Sequence, residues 1–168
     1  MKKWIGAICS GLAGVLSLVF LALPALTFKM AGYKESNTGW ELLTDKAIGE
    51  SDMTAVTWYR IFAWILVVLA IVLIIVAVLQ ILANLGVIKM PAIVATVAKY
   101  ALIAIAVAAV LTLVANFGIR AESIKDMGGK KLLDLMKASI SVGIALWLVA
   151  IVNVAAAVCG KVFAKNED

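Results

Sequence analysis

Residues 61–88 read IFAWILVVLAIVLIIVAVLQILANLGVI, an uninterrupted stretch without a Lys, Arg, His, Asp or Glu. A helix of this length at about 1.5 Å per residue measures some 42 Å. That exceeds the roughly 30 Å of a bilayer's hydrocarbon core, so the segment must tilt or project if it crosses one. Three further charge-free runs accompany it, Trp4 to Phe28, Tyr100 to Ile119 and Ala138 to Gly160. Each is about as long as a transmembrane helix requires. The expected fold is therefore an all-α integral membrane protein, a left-handed bundle of four transmembrane helices (4–28, 61–88, 100–119, 138–160). The whole chain, 1–168, is then one membrane domain with two longer loops, 29–60 and 120–137.

Composition excludes several classes of function. Hydrophobic residues make up 65% of the chain and the mean hydropathy is +1.11, far from a soluble globular domain. The net charge of +5 is scattered over termini and loops, which argues against a nucleic-acid surface. Runs without ionisable groups lack the intramembrane charges of proton relays and ion-coupled carriers. With no histidine in the sequence, His-dependent general acid or base chemistry, His metal ligation and a Ser-His-Asp triad are excluded. No phosphate-cradling glycine loop is present, and the loop carboxylates Glu35, Glu41, Asp45, Glu50 and Asp52 have no recognisable ligand spacing; they read as a solvated acidic loop, with weak calcium binding as the functional alternative. The expectation is a protein without enzymatic activity, metal or cofactor. The two cysteines, Cys9 and Cys159, fall at the same membrane face, where small apolar side chains are ordinary and reversible acylation of a juxtamembrane Cys is the alternative.

The basic start Met1-Lys2-Lys3 could open a signal peptide, but the apolar run behind it is longer than such a segment needs, so it is read as the first span. Lys2 and Lys3 before that span place both termini in the cytoplasm of a plasma-membrane protein under the positive-inside rule. Lys89, Lys99, Lys161 and Lys165 fall on the same side, while nine of the fifteen cations occupy the two longer loops.

Small and neutral polar residues recur along the spans at helical spacing. Gly6, Ser10 and Gly14 lie four apart in the first, the pattern that allows close approach of helix backbones. Ala63, Ala70, Ala77 and Asn84 repeat every seven in the second, with Gln80 beside them, as in a left-handed crossing. Ala104, Ala108, Thr112 and Asn116 follow in the third. Ser139, Gly143, Leu146, Ala150, Asn153, Ala157 and Gly160 follow in the fourth. An amide buried in hydrocarbon needs a partner, so Gln80, Asn84, Asn116 and Asn153 read as interhelical hydrogen-bonding groups; a polar pore lining that includes Thr112 is the alternative. Trp58, Tyr59, Phe62 and Trp64 form an expected aromatic belt, with Arg60 snorkelling among them.

In the first long loop, Thr38 and Glu41 have capping-box spacing and open a short helix, whose Trp40, Leu42 and Leu43 are placed to cover the bundle mouth or lie on the membrane. Ser51 or Asp52 is positioned to cap a helix running into the second span. In the second loop, Gly128-Gly129 followed by Lys130, Lys131, Leu132 and Leu133 reads as a basic interfacial helix. Its echo of Gly39-Trp40-Glu41-Leu42-Leu43 raises the possibility of two parallel helix-hairpin repeats.

Four spans with inward termini, a long first and shorter second exported loop, Trp40, Arg60 and the Ala115-Asn116-Phe117-Gly118-Ile119-Arg120 exit of the third span together resemble the claudin and peripheral myelin protein 22 tetraspans. The resemblance implies lateral self-assembly, adhesion or a paracellular type of barrier, with Trp40 and Arg60 in structural positions. That family carries a Gly-Leu-Trp motif and paired first-loop cysteines; this chain has neither, so no disulfide-pinned sheet is carried over. The functional expectation is a small non-enzymatic membrane protein that assembles with itself or scaffolds a membrane partner in the lipid bilayer. The alternative is an oligomeric channel or passive transporter lined by small and amide residues.

Overall fold

The computed structural model describes residues 2–44, 54–126, 128–129, 131 and 138–165. In chain order the elements are α1 (Lys2–Phe20), β1 (Pro24–Met30), β2 (Tyr33–Thr38), α2 (Gly39–Thr44), α3 (Thr54–Asn84), α4 (Ala92–Asp126), β3 (Ala138–Val142) and α5 (Ile144–Lys165). The protein is mostly helical with a small sheet. Helices α3, α4 and α5 are long and apolar enough to cross a membrane, and the apolar part of α1, Trp4–Phe20, is shorter. Their outward surfaces carry exposed Leu, Ile and Val, among them Leu12, Val15, Val68, Ile71, Ile75, Val107, Val114, Ile151 and Val154. A continuous apolar exterior of this kind marks a membrane protein.

The helices pack in a ring, α1 on α3, α3 on α4, α4 on α5 and α5 back on α1. Close packing on the inside of that ring comes from small residues. Ala7, Ser10, Ala13 and Ser17 of α1 are buried, as are Ala63, Ala70 and Ala77 of α3. Gly14 sits directly against the α3 backbone, where a Cβ would fall 2.6 Å from the Ala70 carbonyl oxygen.

The all-α expectation is corrected by a three-stranded antiparallel sheet of order β2-β1-β3. Helix α1 stops at Phe20 and not at Phe28, because Pro24 brings no backbone donor and cannot continue a helix. The last turn tightens, Ala22 donating to the Val19 carbonyl at 3.0 Å and Leu23 to that of Phe20 at 3.0 Å. Pro24 then takes the first position of β1, where a missing N–H is tolerated. Met30 pairs with Tyr33 across Ala31-Gly32, and both turn residues have positive φ, 43° and 87°. That is the two-residue turn whose twist matches a hairpin. The fourth run is likewise split: residues 138–142 pair with β1 from Met30 opposite Ala138 to Leu26 opposite Val142, and the helix begins at Ile144.

The middle helices are longer than their charge-free cores and offset from them. Helix α3 begins at Thr54, its Ala55 N–H bonded at 3.3 Å to the Glu122 carboxylate of α4. A carboxylate at a helix N-terminus meets both an orphan donor and the positive end of the dipole. It ends before Gly86 (φ 75°), with Gly86 N–H on the Ala83 carbonyl and Val87 N–H on that of Leu82, both at 3.0 Å. This is a Schellman ending. Helix α4 runs on past Arg120 to Asp126 and closes the same way, Gly128 bonding Lys125 at 3.2 Å and Gly129 bonding Ile124 at 2.9 Å. The proposed caps Ser51 and Asp52, the acids Asp45 and Glu50, and the interfacial helix through Lys130, Leu132 and Leu133 lie outside the described residues, and with them the repeat that rests on that helix.

Candidate functional site: a polar junction between sheet and helices

The sheet is fastened to one end of the helix ring by polar side chains, almost all of which donate to backbone carbonyls. At Ala25 the β1–β2 register shifts, Pro24 standing opposite Thr38 but Leu26 opposite Asn37. A bulged residue drops out of its ladder, and the Ala25 carbonyl accepts two other donors: Gly143 N–H at 2.8 Å and Asn116 Nδ2 at 2.8 Å. Because a carbonyl only accepts, this contact fixes the Asn116 amide orientation. Gly143 is required where it stands, since a Cβ there would lie 1.9 Å from the Pro24 oxygen.

One turn beyond Asn116, Arg120 Nε donates to the Ile140 carbonyl of β3 at 2.7 Å. On the other side of the ring Arg60 Nε donates to the Leu42 carbonyl of α2 at 3.3 Å. Tyr59 is wholly buried and its hydroxyl donates to the Gly39 carbonyl at 3.2 Å. The expected belt position of Tyr59 is thereby corrected: at about 100° per residue it points inward while Trp58 and Trp64 point out. Trp58 stacks on Phe62 at a centroid distance of 5.8 Å.

Helix α2 opens with the capping box read from the sequence, in full. The Thr38 N–H donates to Glu41 Oε2 at 2.8 Å and the Glu41 N–H to Thr38 Oγ1 at 3.2 Å. Leu42 and Leu43 are buried, and Trp40 closes the end of α1, its N–H donating to the Leu21 carbonyl at 3.2 Å and its Nε1 to that of Leu18 at 3.1 Å. These are carbonyls that a helix C-terminus leaves orphaned. Gly39 fits against Leu21, whose Cδ2 would be 2.8 Å from an added Cβ.

The amide expected deeper in the fourth run bridges two helices. Asn153 Nδ2 donates to Ser17 Oγ of α1 at 2.8 Å and to the Val149 carbonyl at 2.9 Å, while Ser17 donates in turn to the Ala13 carbonyl at 2.5 Å. Thr112 is buried and donates to the Ala108 carbonyl at 2.7 Å. Gln80 faces Gly6, its amide 3.7 Å from where a Gly6 Cβ would stand. Ser10 is buried on the same helix face as Gly14, and Asn84 is half-buried at the end of α3. The row through Ala104 needs correcting. Ala104 is exposed while Ala101 and Ile105 are buried, because each step of four advances about 40° beyond a full turn and the row drifts off the packed face. Lys131 is exposed, and Lys130 lies outside the described residues.

Sequence reasoning missed Ser17, Ala25 and Glu122 as members of these contacts. Ser17 stood seven beyond Ser10 and three beyond Gly14 on the small-residue face, which is a usable signal. The Ala25 bulge had none. Away from the junction, Val72, Ile75, Val76, Leu79, Ile93, Val94 and Val97 line an apolar groove of about 310 Å³ between α3 and α4. Among the described residues no group of three or more His, Cys, Asp or Glu side chains is placed to hold a metal. Compared with family models, curated proteins and solved structures, the chain matches none.

Proposed function

We propose that this chain is a non-enzymatic four-span plasma-membrane protein that assembles with a second copy of itself through the small sheet. Helix α1 supplies the remaining span: its 19 residues give about 28 Å of helix, close to the hydrocarbon thickness. Both termini are then cytoplasmic and the sheet lies outside. The single observation that carries the reading is the free edge of β2. Among the described residues β2 pairs with β1 alone, and Tyr33, Lys34, Glu35 and Ser36 are all exposed. An uncovered strand edge offers a row of donors and acceptors to another chain. Antiparallel pairing of two copies about a twofold axis at Ser36 sets Ser36 opposite its own counterpart, Glu35 opposite the partner copy's Asn37 and Lys34 opposite the partner copy's Thr38, so that no like charges face each other. The assembly function expected from the claudin and peripheral myelin protein 22 resemblance is of this kind, with the sheet held by Asn116, Arg120 and Gly143 in place of a disulfide.

The competing channel reading would need Gln80, Thr112, Asn116 and Asn153 to face a path. Gln80 is half-buried against Gly6, while Thr112, Asn116 and Asn153 are fully buried within one chain and engaged in the bonds described above, which supports their structural use. Native mass measurement in lipid nanodiscs tests the proposal. A dimer is expected for the natural sequence, loss of it for Ser36→Lys or Ser36→Glu alone, where like charges meet at the axis, and recovery as a mixed dimer when the two variants are combined. A monomer in every lipid tried would refute it, and Asn116-sensitive conductance in liposomes would replace it with the channel.

A further inference from the structure

The end of the molecule opposite the sheet brings the two cysteines of the chain together. Ser17 of α1 and Asn153 of α5 touch at 2.8 Å and so fix the register of these antiparallel helices. Cys9 lies eight residues before Ser17 and Cys159 six residues after Asn153. At about 1.5 Å per residue these offsets carry them roughly 12 Å and 9 Å in the same direction, to one level. They also turn both off the Ser17–Asn153 line, by about 80° and 120°, toward the same edge of the seam. Cys9 is accordingly half-buried and Cys159 exposed. The two thiols interact with each other across the seam. The buried residues nearby on the two helices, Ser10, Ala13 and Ala156, are small, which permits close approach of the backbones.

We propose that Cys9 and Cys159 form a redox-active dithiol, whose oxidation by a small-molecule disulfide staples α1 to α5. The exposed Cys159 is the entry point. Its thiolate attacks one sulfur of the oxidant R–S–S–R, breaking that bond, forming Cys159–S–S–R and expelling the first thiolate. The Cys9 thiolate then attacks the Cys159 sulfur, forming the Cys9–Cys159 bond and expelling the second. The two protons given up by the cysteines end on the two released R–SH molecules, so two protein thiols are oxidised and one small disulfide is reduced. Attack by a neighbouring thiolate on a mixed disulfide is the ordinary course of such exchange. The consequence is mechanical. At the sheet end, β1 and β3 already join the C-terminal side of α1 to the N-terminal side of α5; the disulfide would fix the other end, leaving the pair tied at both.

The test uses the full chain in lipid nanodiscs, treated with oxidised glutathione and read by intact mass and by peptide mapping after alkylation. The expected product is a single polypeptide lighter by two hydrogens on denaturing mass measurement, with a Cys9–Cys159 linked peptide and a higher melting temperature than the reduced protein. Cys9→Ser and Cys159→Ser should each lose both the linkage and the rise in melting temperature. Any of three results overturns the proposal: both thiols still alkylatable after oxidation, a stable glutathione adduct on Cys159 that never resolves, or a linkage found only between copies.

Discussion

Gly6, Gly11 and Gly14 share one helix face and look equivalent in the sequence, yet the structure predicts opposite outcomes when each becomes alanine. An added Cβ at Gly6 stands 3.7 Å from the Gln80 amide nitrogen, and one at Gly11 stands 3.5 Å from the Ala77 Cβ, both ordinary contacts. At Gly14 it would stand 2.6 Å from the Ala70 carbonyl oxygen and 2.7 Å from the Ile74 Cγ1. The first of those neighbours is backbone and cannot rotate away, so α1 must lift from α3 by the better part of an ångström. Overfilling a packed interior costs about 1–3 kcal/mol. Against this, alanine in a helix interior gains up to about 1 kcal/mol over glycine. Gly6→Ala and Gly11→Ala should therefore be neutral or slightly stabilising, and Gly14→Ala destabilising by up to about 2 kcal/mol net. For a chain of this size that corresponds to a fall of up to about 8 °C in melting temperature. Thermal unfolding in one detergent, followed by near-ultraviolet circular dichroism, compares the three variants. Equal melting temperatures for Gly6→Ala and Gly14→Ala would refute the claim that backbone approach, and not small-residue content, holds α1 to α3.

Gly143→Ala should be the most damaging alanine substitution at any described glycine, since its Cβ would overlap the Pro24 carbonyl at 1.9 Å; expression with loss of the folded-protein peak in size exclusion is the expected result. Asn116→Leu removes the side-chain donor from the Ala25 carbonyl and should cost about 0.6–1.7 kcal/mol, with faster hydrogen exchange at Gly143 as the local signature. Cysteine placed at Lys34, in a background lacking Cys9 and Cys159, should react with a membrane-impermeant thiol reagent on intact cells. One placed at Asn166 should react only after lysis, and the reverse pattern would invert the orientation.

The long helices were legible because nothing competes with an unbroken apolar run of that length. Their ends were not, and the reason differs at each. A charge marks where a chain leaves hydrocarbon, but it does not stop a helix. Lys99, Arg120, Glu122 and Lys125 all lie within α4, which ends only at the glycine pair after Asp126. The strands were hidden for the opposite reason. Pro24 to Phe28 is as apolar as the helix before it, and a short apolar stretch does not declare its period. Pro24 and the Ala31-Gly32 turn held the missing information, while β3 could be assigned only by its partner, β1. At the candidate site, Thr38 and Glu41 were readable because a capping box is local in sequence. The Asn116 contact spans 91 residues, beyond any local pattern.

Those long-range contacts follow one physical rule. Where a helix gives way to a strand near apolar surroundings, carbonyls are left without their regular partners, and each would carry a desolvation cost if unmatched. The chain answers with side-chain donors: Trp40 at Leu18, Tyr59 at Gly39, Arg60 at Leu42, Asn116 at Ala25 and Arg120 at Ile140. Both arginines of the sequence are spent in this way, and each joins a long helix to an element outside the ring. A planar guanidinium presents several donors on a rigid fork, so a single Arg can bond a carbonyl and keep further donors for other acceptors or water. The strength of the junction therefore depends on several weak bonds acting together. Loss of Asn116 or Arg120 loosens the sheet against the helices, and the β2 edge proposed to meet a second copy is held only as firmly as the contacts of β1 hold it.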